Sequence, residues 1–299
     1  TIEYQNNTAN TAPILANYGN LIINLNYTNN VGSGGNLISI GGDLIVKNTG
    51  GFELRFVTTQ ATTHNIGGKL SVEGPNAILV INSGASGTGT PIVNIAGDLN
   101  ISAGTFDLGS GTGTPTVNIS GNVNLSGGTL KRTNAAVVTM NVPGTWTNNG
   151  GTFTSANTTV NFNGSTAQSI LGSAATTFNN LTLNNSNGLS LGSGVDATVT
   201  GTLTLTSGVI TTNANKLIVG SAGNSGTIAR TSGHVNGNLR RYVPNSAAPT
   251  VLYPIGDAAA SNYTPVSITF VGTTSGSGYL DASTSVTAPA AGALPTGAG

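Results

Sequence analysis

The chain has 299 residues with 44 glycines, no cysteine, and nine acidic against nine basic side chains, for a formal net charge of zero. A chain without net charge sets up no long-range field to gather phosphates or anionic lipid, which argues against nucleic-acid and membrane-surface partners. The lack of cysteine removes disulfide staples and thiolate zinc sites.

Hydrophobic residues make up 37% of the chain, many of them β-branched, so the low charge does not signal disorder. Gly, Asn, Thr and Val are weak helix formers, and no segment carries a sustained 3.6-residue apolar stripe. The longest apolar runs, such as residues 77–81, are too short to cross a bilayer, and no basic stretch followed by an apolar core opens the chain. The sequence reads as a mature or excised piece. Its uncharged Asn- and Thr-rich chemistry places it outside the cell or on the outer surface of a bacterium.

In chain order the first marker is Gly19-Asn20-Leu21, followed by Gly42-Asp43-Leu44, Gly68-Lys69-Leu70, Gly97-Asp98-Leu99, Gly121-Asn122-Val123 and Gly144-Thr145-Trp146. Successive marker glycines are 23, 26, 29, 24 and 23 residues apart, as loop insertions at one corner of a coil would produce. The copying is closest between residues 87–110 and the segment from Gly111, where Gly-Thr-Gly-Thr-Pro and Val-Asn-Ile recur at a spacing of 24. Beyond Phe162 the register is less regular, and Gly201-Thr202-Leu203 and Gly237-Asn238-Leu239 are read as restoring it.

Within each repeat Val93, Ile95, Leu99 and Ile101 share one parity and Asn94, Asp98 and Asn100 the other, and Val117, Ile119, Val123 and Leu125 repeat this against Asn118, Asn122 and Asn124. That is the period-2 signature of strands with one buried face. A third strand, as at residues 105–108 or Thr152–Thr154, completes one coil of a parallel β-helix. An antiparallel sandwich explains the alternation but not the 24-residue copying. The expected fold is therefore all-β, a β-solenoid over 1–241 of about a dozen coils and about 50 to 60 Å. A Pro- and aromatic-rich cap or small β-sandwich follows over 242–286, and an Ala/Gly/Pro-rich tail over 287–299.

A longer copy relates Thr1-Ile2-Glu3-Tyr4, Thr8-Ala9-Asn10 and Tyr18-Gly19-Asn20-Leu21 to Thr159-Val160-Asn161-Phe162, Thr166-Ala167-Gln168 and Phe178-Asn179-Asn180-Leu181. With residues 201–210 and 233–242, then Tyr253-Pro254-Ile255-Gly256-Asp257 and Asn262-Tyr263-Thr264-Pro265-Val266, this pattern resembles the repeat arrays of large secreted surface proteins of the Bacteroidetes, many of them type IX secretion substrates. The resemblance implies an adhesin-like structural role, with a small β-sandwich-like segment after the solenoid. The sequence departs from that family's usual form in lacking a recognisable C-terminal sorting domain. Thr1 also begins within a repeat unit, so the first coil would present open strand edges. Either end-to-end self-association by strand addition or an upstream segment would cover them.

A polysaccharide-cleaving β-helix would need clustered carboxylates or a basic residue on one face. The acids Glu3, Asp43, Glu53, Glu73, Asp98, Asp107, Asp196, Asp257 and Asp281 are scattered. Asp43, Lys69 and Asp98 share a repeat position and are read as a surface charge ladder fixing coil register, each pair contributing under about 1 kcal/mol. Asn65, Asn94, Asn118 and Asn141 share another. They read as an amide ladder in preference to a glycan- or ice-binding ribbon. Thr202, Thr204 and Thr206 raise the same idea, but no matching row is visible in the flanking repeats.

His64 and His234 are distant and have no nucleophile or metal partner in view. The basic pairs Lys131-Arg132 and Arg240-Arg241 are read as solvating a coil edge or domain junction, and residues 84–89 lack the ending of a phosphate loop. Tyr253, Tyr263 and Phe270 read as core more than as a sugar site. We thus expect no catalytic, cofactor or metal residues. The expected role is a non-enzymatic surface fibre subunit associating end to end, the alternatives being a monomeric adhesin stalk or a carbohydrate-binding or -cleaving protein with surface glycans as partners.

Overall fold

The computed structural model of the chain describes residues 1–5, 18–32, 39–57, 61–83, 88–154 and 156–284. The Thr8-Ala9-Asn10 part of the internal copy, residues 84–87 of the glycine-rich stretch and the 287–299 tail lie outside them. The described residues form no helix, and their strands stack in parallel as a β-solenoid of about 9 turns. The expected dozen counted the segment after Tyr242 and the tail as coils.

One coil runs through three faces. The strand Ile92–Ile95 lies on the first face, Leu99–Ile101 on the second and Thr105–Asp107 on the third. The next coil repeats them 24 residues on, with Val93 opposite Val117, Leu99 opposite Val123 and Phe106 opposite Leu130. The first face stacks nine parallel strands, from Ser39–Ile40 through Thr63–Ile66, Thr116–Ile119, Val138–Val142, Thr158–Phe162, Asn180–Asn184 and Thr202–Ser207 to Thr227–Arg230. Inward-pointing side chains of all three faces meet in one core, with Val93, Leu99, Ile101 and Phe106 fully buried. Each such Leu, Ile or Val contributes about 1.5–3 kcal/mol, but only when the neighbouring coil covers it.

The corner between first and second faces explains the marker glycine. A Cβ on Gly121 would lie 2.3 Å from Asp98 Oδ1 and 2.8 Å from the Gly97 carbonyl carbon, and one on Gly144 would lie 2.3 Å from the Gly121 oxygen. Close approach of stacked coils, and not an unusual φ, excludes the side chain here. At the next corner the requirement is conformational, with φ of 65° at Gly104 and 59° at Gly128.

The two late markers sit elsewhere than expected. Leu203, after Gly201, pairs with Leu181 on the first face, whereas Leu239, after Gly237, pairs with Leu217 on the third. The same rotation applies to the long copy. Ile2–Gln5 pairs with Leu21–Asn24 on the second face, but Thr159 to Phe162 pairs with Asn180 to Leu183 on the first. The copy preserves the stacking relation and shifts it by one face.

Trp146, Phe153, Phe162 and Phe178 crowd the core where the third-face ladder stops at Thr152–Thr154, with ring centroids 4.8 to 6.2 Å apart. The third face resumes at Thr176–Phe178, and from Val209–Val219 onward single long strands span the second and third faces together. The last of these, His234–Tyr242, pairs in antiparallel fashion with Tyr279–Ser283. The hairpin Thr250–Tyr253 with Val266–Thr269 buries Val251 and Tyr253 in the solenoid's own core, so this segment closes the end of the stack.

Candidate functional site: the neutral first face

Along the first face the inward residues are apolar apart from His64 and Thr158, and the outward ones are mostly polar. From Thr63 to Ala229 the outward strand positions carry Thr, Asn and Ser, interrupted by Ile92 and ending on Ala229, and none is ionisable. Asn94 donates to Asn65 Oδ1 at 2.8 Å, Asn118 to Asn94 at 2.8 Å, and Asn141 to Asn118 at 2.7 Å. Asn161 extends the run, donating to Asn141 at 3.0 Å. The amide ladder read from the sequence is thus present, and Asn124 donates to Asn100 in a shorter one on the second face. Stacked neutral bonds of this kind lock rotamers and register together.

The Thr row has neighbours that the sequence reading did not see. Thr202 lies opposite Thr227, Thr204 opposite Thr182, and Thr116, Thr139 and Thr159 form a column beside the amides. The signal was present but displaced, because the columns join residues about 20 to 25 positions apart.

The column of Asp43, Lys69 and Asp98 works differently from a charge ladder. Asp43 Oδ1 accepts the backbone N–H of Lys69 at 2.9 Å, and Asp98 Oδ1 that of Asn122 at 2.6 Å. Asn20, Asn122 and Asn180 do the same for Asp43, Thr145 and Thr202. Register is set by a side-chain oxygen on the next coil's amide, a role Lys69 cannot fill because an ammonium accepts no bond.

Glu53, Asp107, Asp196 and Asp281 are also separate and occupied. Asp107 accepts from the Gly109 amide at 2.8 Å and from the Thr133 hydroxyl at 2.6 Å, and Asp196 from the Lys216 amide at 2.7 Å. Glu53 pairs with Arg55 and Asp281 with Lys216 and Arg240. The Arg240 hydrogen bond, with help from Lys216, holds the Asp281 carboxyl at about 2. Among the described residues no cluster of three His, Asp or Glu side chains is placed to hold a metal ion.

Each basic pair splits, one member outward and one buried. Arg132 donates to the carbonyls of Gly111 and Gly113 at 2.9 Å, of Ala136 at 3.1 Å, and of Gly109. Arg241 donates to the carbonyls of Leu252, Ser225 and Gly226 at 2.7 to 3.0 Å, joining cap to last coil. Burial lowers both guanidinium pKa values from the usual arginine range. Strand parity carried this signal, since Leu130 and Leu239 point inward and the residues two positions on must follow.

No protein-family model, curated protein or solved structure matches the chain.

His64 is buried against Phe56 and bonded to the Thr62 hydroxyl at 2.8 Å, while His234 reaches the Asp257 carbonyl at 2.7 Å beneath the cap. Tyr253 is core, and Tyr263 carries the Arg230 guanidinium 3.5 Å above its ring. A groove of about 340 Å³ runs between residues 186–190 and Ala258 and Ala260. Gln168 in its wall already has both amide ends satisfied, by Val142, Gly144, Gly164 and Asn185.

Proposed function

We propose that the chain is a non-enzymatic extracellular structural protein, a rigid monomeric stalk on the outer surface of a bacterium. The observation that carries this reading is how its ionisable groups are used. Asp43 and Asp98 bind backbone amides of the next coil, Arg132 and Arg241 clamp backbone carbonyls, and Asp281 anchors the cap. Groups committed in this way hold the rod together and are not free to transfer protons. The likeness to Bacteroidetes surface repeat arrays supports the same role.

A fibre assembling end to end is the second reading, favoured by one feature. Thr227–Arg230 pairs only with Thr202–Ser207 among the described strands. The Thr227 and Thr231 amides point into the stack, so those of Ile228 and Arg230 face outward. Sedimentation across a wide concentration range tests both. The stalk gives one elongated monomeric species throughout, whereas growing species would favour the fibre. Release of reducing ends from polysaccharides would overturn the non-enzymatic reading.

A further inference from the structure

The cap carries a cavity of about 380 Å³ between two stretches of loop, residues 243–249 and 270–278. That is the size of a small-molecule pocket. Its walls are fixed to each other. The Val243 amide donates to the Gly278 carbonyl at 2.9 Å, that of Ala248 to Gly272 at 2.7 Å and that of Thr274 to Ser246 at 2.9 Å, while the Thr274 hydroxyl donates to the Pro244 carbonyl at 2.6 Å. The space therefore exists before any ligand arrives, which spares the ligand the cost of ordering the loops.

The lining combines one aromatic ring with neutral polar groups. Phe270 is half-buried against the core and lines the cavity together with Val243. Asn245, Thr273 and Ser275 supply an amide and two hydroxyls, none of which makes a side-chain hydrogen bond among the described residues. No lining residue is ionisable. Asn245 is nonetheless held in place, because its backbone N–H donates to the Gly223 carbonyl at 3.0 Å and its side chain lies against the same glycine, where a Cβ would come 2.6 Å from Nδ2. The groove beside residues 186–190 differs on both counts, with no aromatic ring and with its Gln168 amide already bonded.

These features select among ligands. A charged group would enter without a partner, at a desolvation cost that nothing in the lining offsets. An added peptide strand needs backbone partners, and the loop amides and carbonyls are bonded to one another. We propose that the cap cavity binds a neutral sugar residue of a glycan. The C–H face of a pyranose packs on the Phe270 ring, and its hydroxyls, each both donor and acceptor, pair with the Asn245 amide and the Thr273 and Ser275 hydroxyls. The capped end of the rod is then its ligand-holding end, whether the rod stands alone or in a fibre.

The test is saturation-transfer NMR of the purified chain with free glucose, galactose, mannose, fucose and N-acetylglucosamine, and with glucuronic acid as the charged counterpart. At least one neutral sugar is expected to receive saturation, and glucuronic acid less than that sugar. Gly278→Phe, at a lining glycine where a Cβ meets nothing within 4 Å, is expected to fill the cavity and abolish the signal. Asn245→Ala is expected to weaken the titrated affinity about tenfold, the effect of losing one or two hydrogen bonds. Ser267→Ala, exposed on the same cap but outside the cavity, is expected to bind as the wild type does. All three variants are expected to keep the wild-type circular dichroism spectrum. Absence of saturation from every neutral sugar overturns the proposal, as does undiminished binding by a folded Gly278→Phe or Asn245→Ala chain. Stronger saturation of glucuronic acid than of any neutral sugar would place the ligand at a charged site elsewhere and equally sink the assignment.

Discussion

The corner glycine gives the most direct test of coil stacking. In Gly121→Ala the new methyl would lie 2.3 Å from Asp98 Oδ1 and 2.8 Å from the Gly97 carbonyl carbon and oxygen. Two costs follow. The Asp98 carboxylate must swing away and release the Asn122 amide that it now holds at 2.6 Å, a charge-assisted bond contributing about 1.5–3 kcal/mol. The coils must also part slightly at a backbone that cannot rotate aside, an overpacking cost of about 1–3 kcal/mol. The expected loss is therefore about 2.5–6 kcal/mol, concentrated on the adjoining strands Leu99–Ile101 and Val123–Leu125. Because stacked repeats can open in parts, amide hydrogen exchange of those strands is the appropriate assay, supported by urea unfolding. Asp98→Ala removes the acceptor in advance, so the double variant should cost less than the two single changes added together. Gly278→Ala, where a Cβ meets nothing within 4 Å, serves as the neutral control. A Gly121→Ala chain as stable as wild type, or strictly additive costs in the cycle, would refute the stacking argument.

Other substitutions probe the remaining parts. Asn118→Leu breaks two ladder bonds at once and should cost about 1–2 kcal/mol, read as faster exchange in Thr116–Ile119 and its two neighbouring strands. Trp146→Ala empties a fully buried site between Phe153 and Phe178 and should cost about 3–5 kcal/mol in thermal or urea unfolding. Arg241→Met leaves three carbonyls without their donor, and limited proteolysis should then cut first between Tyr242 and Thr250 while the solenoid survives. Asp281 has a carboxyl held at about 2 against an ordinary 3.8, first by its Arg240 bond. Its contribution is therefore present above about 4 and lost as pH falls towards 2, so strand Tyr279–Ser283 should lose exchange protection in that window before the core does. High salt should weaken the same contact, because both partners are partly exposed.

Alternation and copying made the fold legible in the central coils. Val93 and Ile95 against Asn94, repeated 24 residues later, dictate both a half-buried strand and its stacking partner. After Phe162 the copies weaken because a strand is free to change face and keep its parity, which is what Leu203 and Leu239 do. Glycine-plus-apolar marks a corner, and a three-sided coil has more than one. The Asp43, Lys69 and Asp98 column was visible as a column, but its chemistry was not. Sequence gives charge, and only the coil spacing shows that a carboxylate reaches a backbone amide before it reaches a lysine. Arg132 and Arg241 were misread by residue type, although strict parity points both inward, where loop carbonyls compensate the buried charge.

The weak points of any solenoid are its last strands, and here the C-terminal end is treated unequally. The third face ends under Tyr279–Ser283, the second meets Ile255 at Val235, and the core ends under Val251 and Tyr253. Among the described residues the first face ends on an open edge, and Arg230 sits on it. Its guanidinium donates to the carbonyls of Gly233 at 2.7 Å and Ser232 at 3.1 Å and stacks over Tyr263, with no carboxylate partner among the described ion pairs. A second chain adding a strand there would gain the outward bonds of Ile228 and Arg230 but would have to cover a positive charge that nothing nearby neutralises. Strand addition is therefore penalised at this edge, which supports the monomeric stalk over the fibre among the proposed readings.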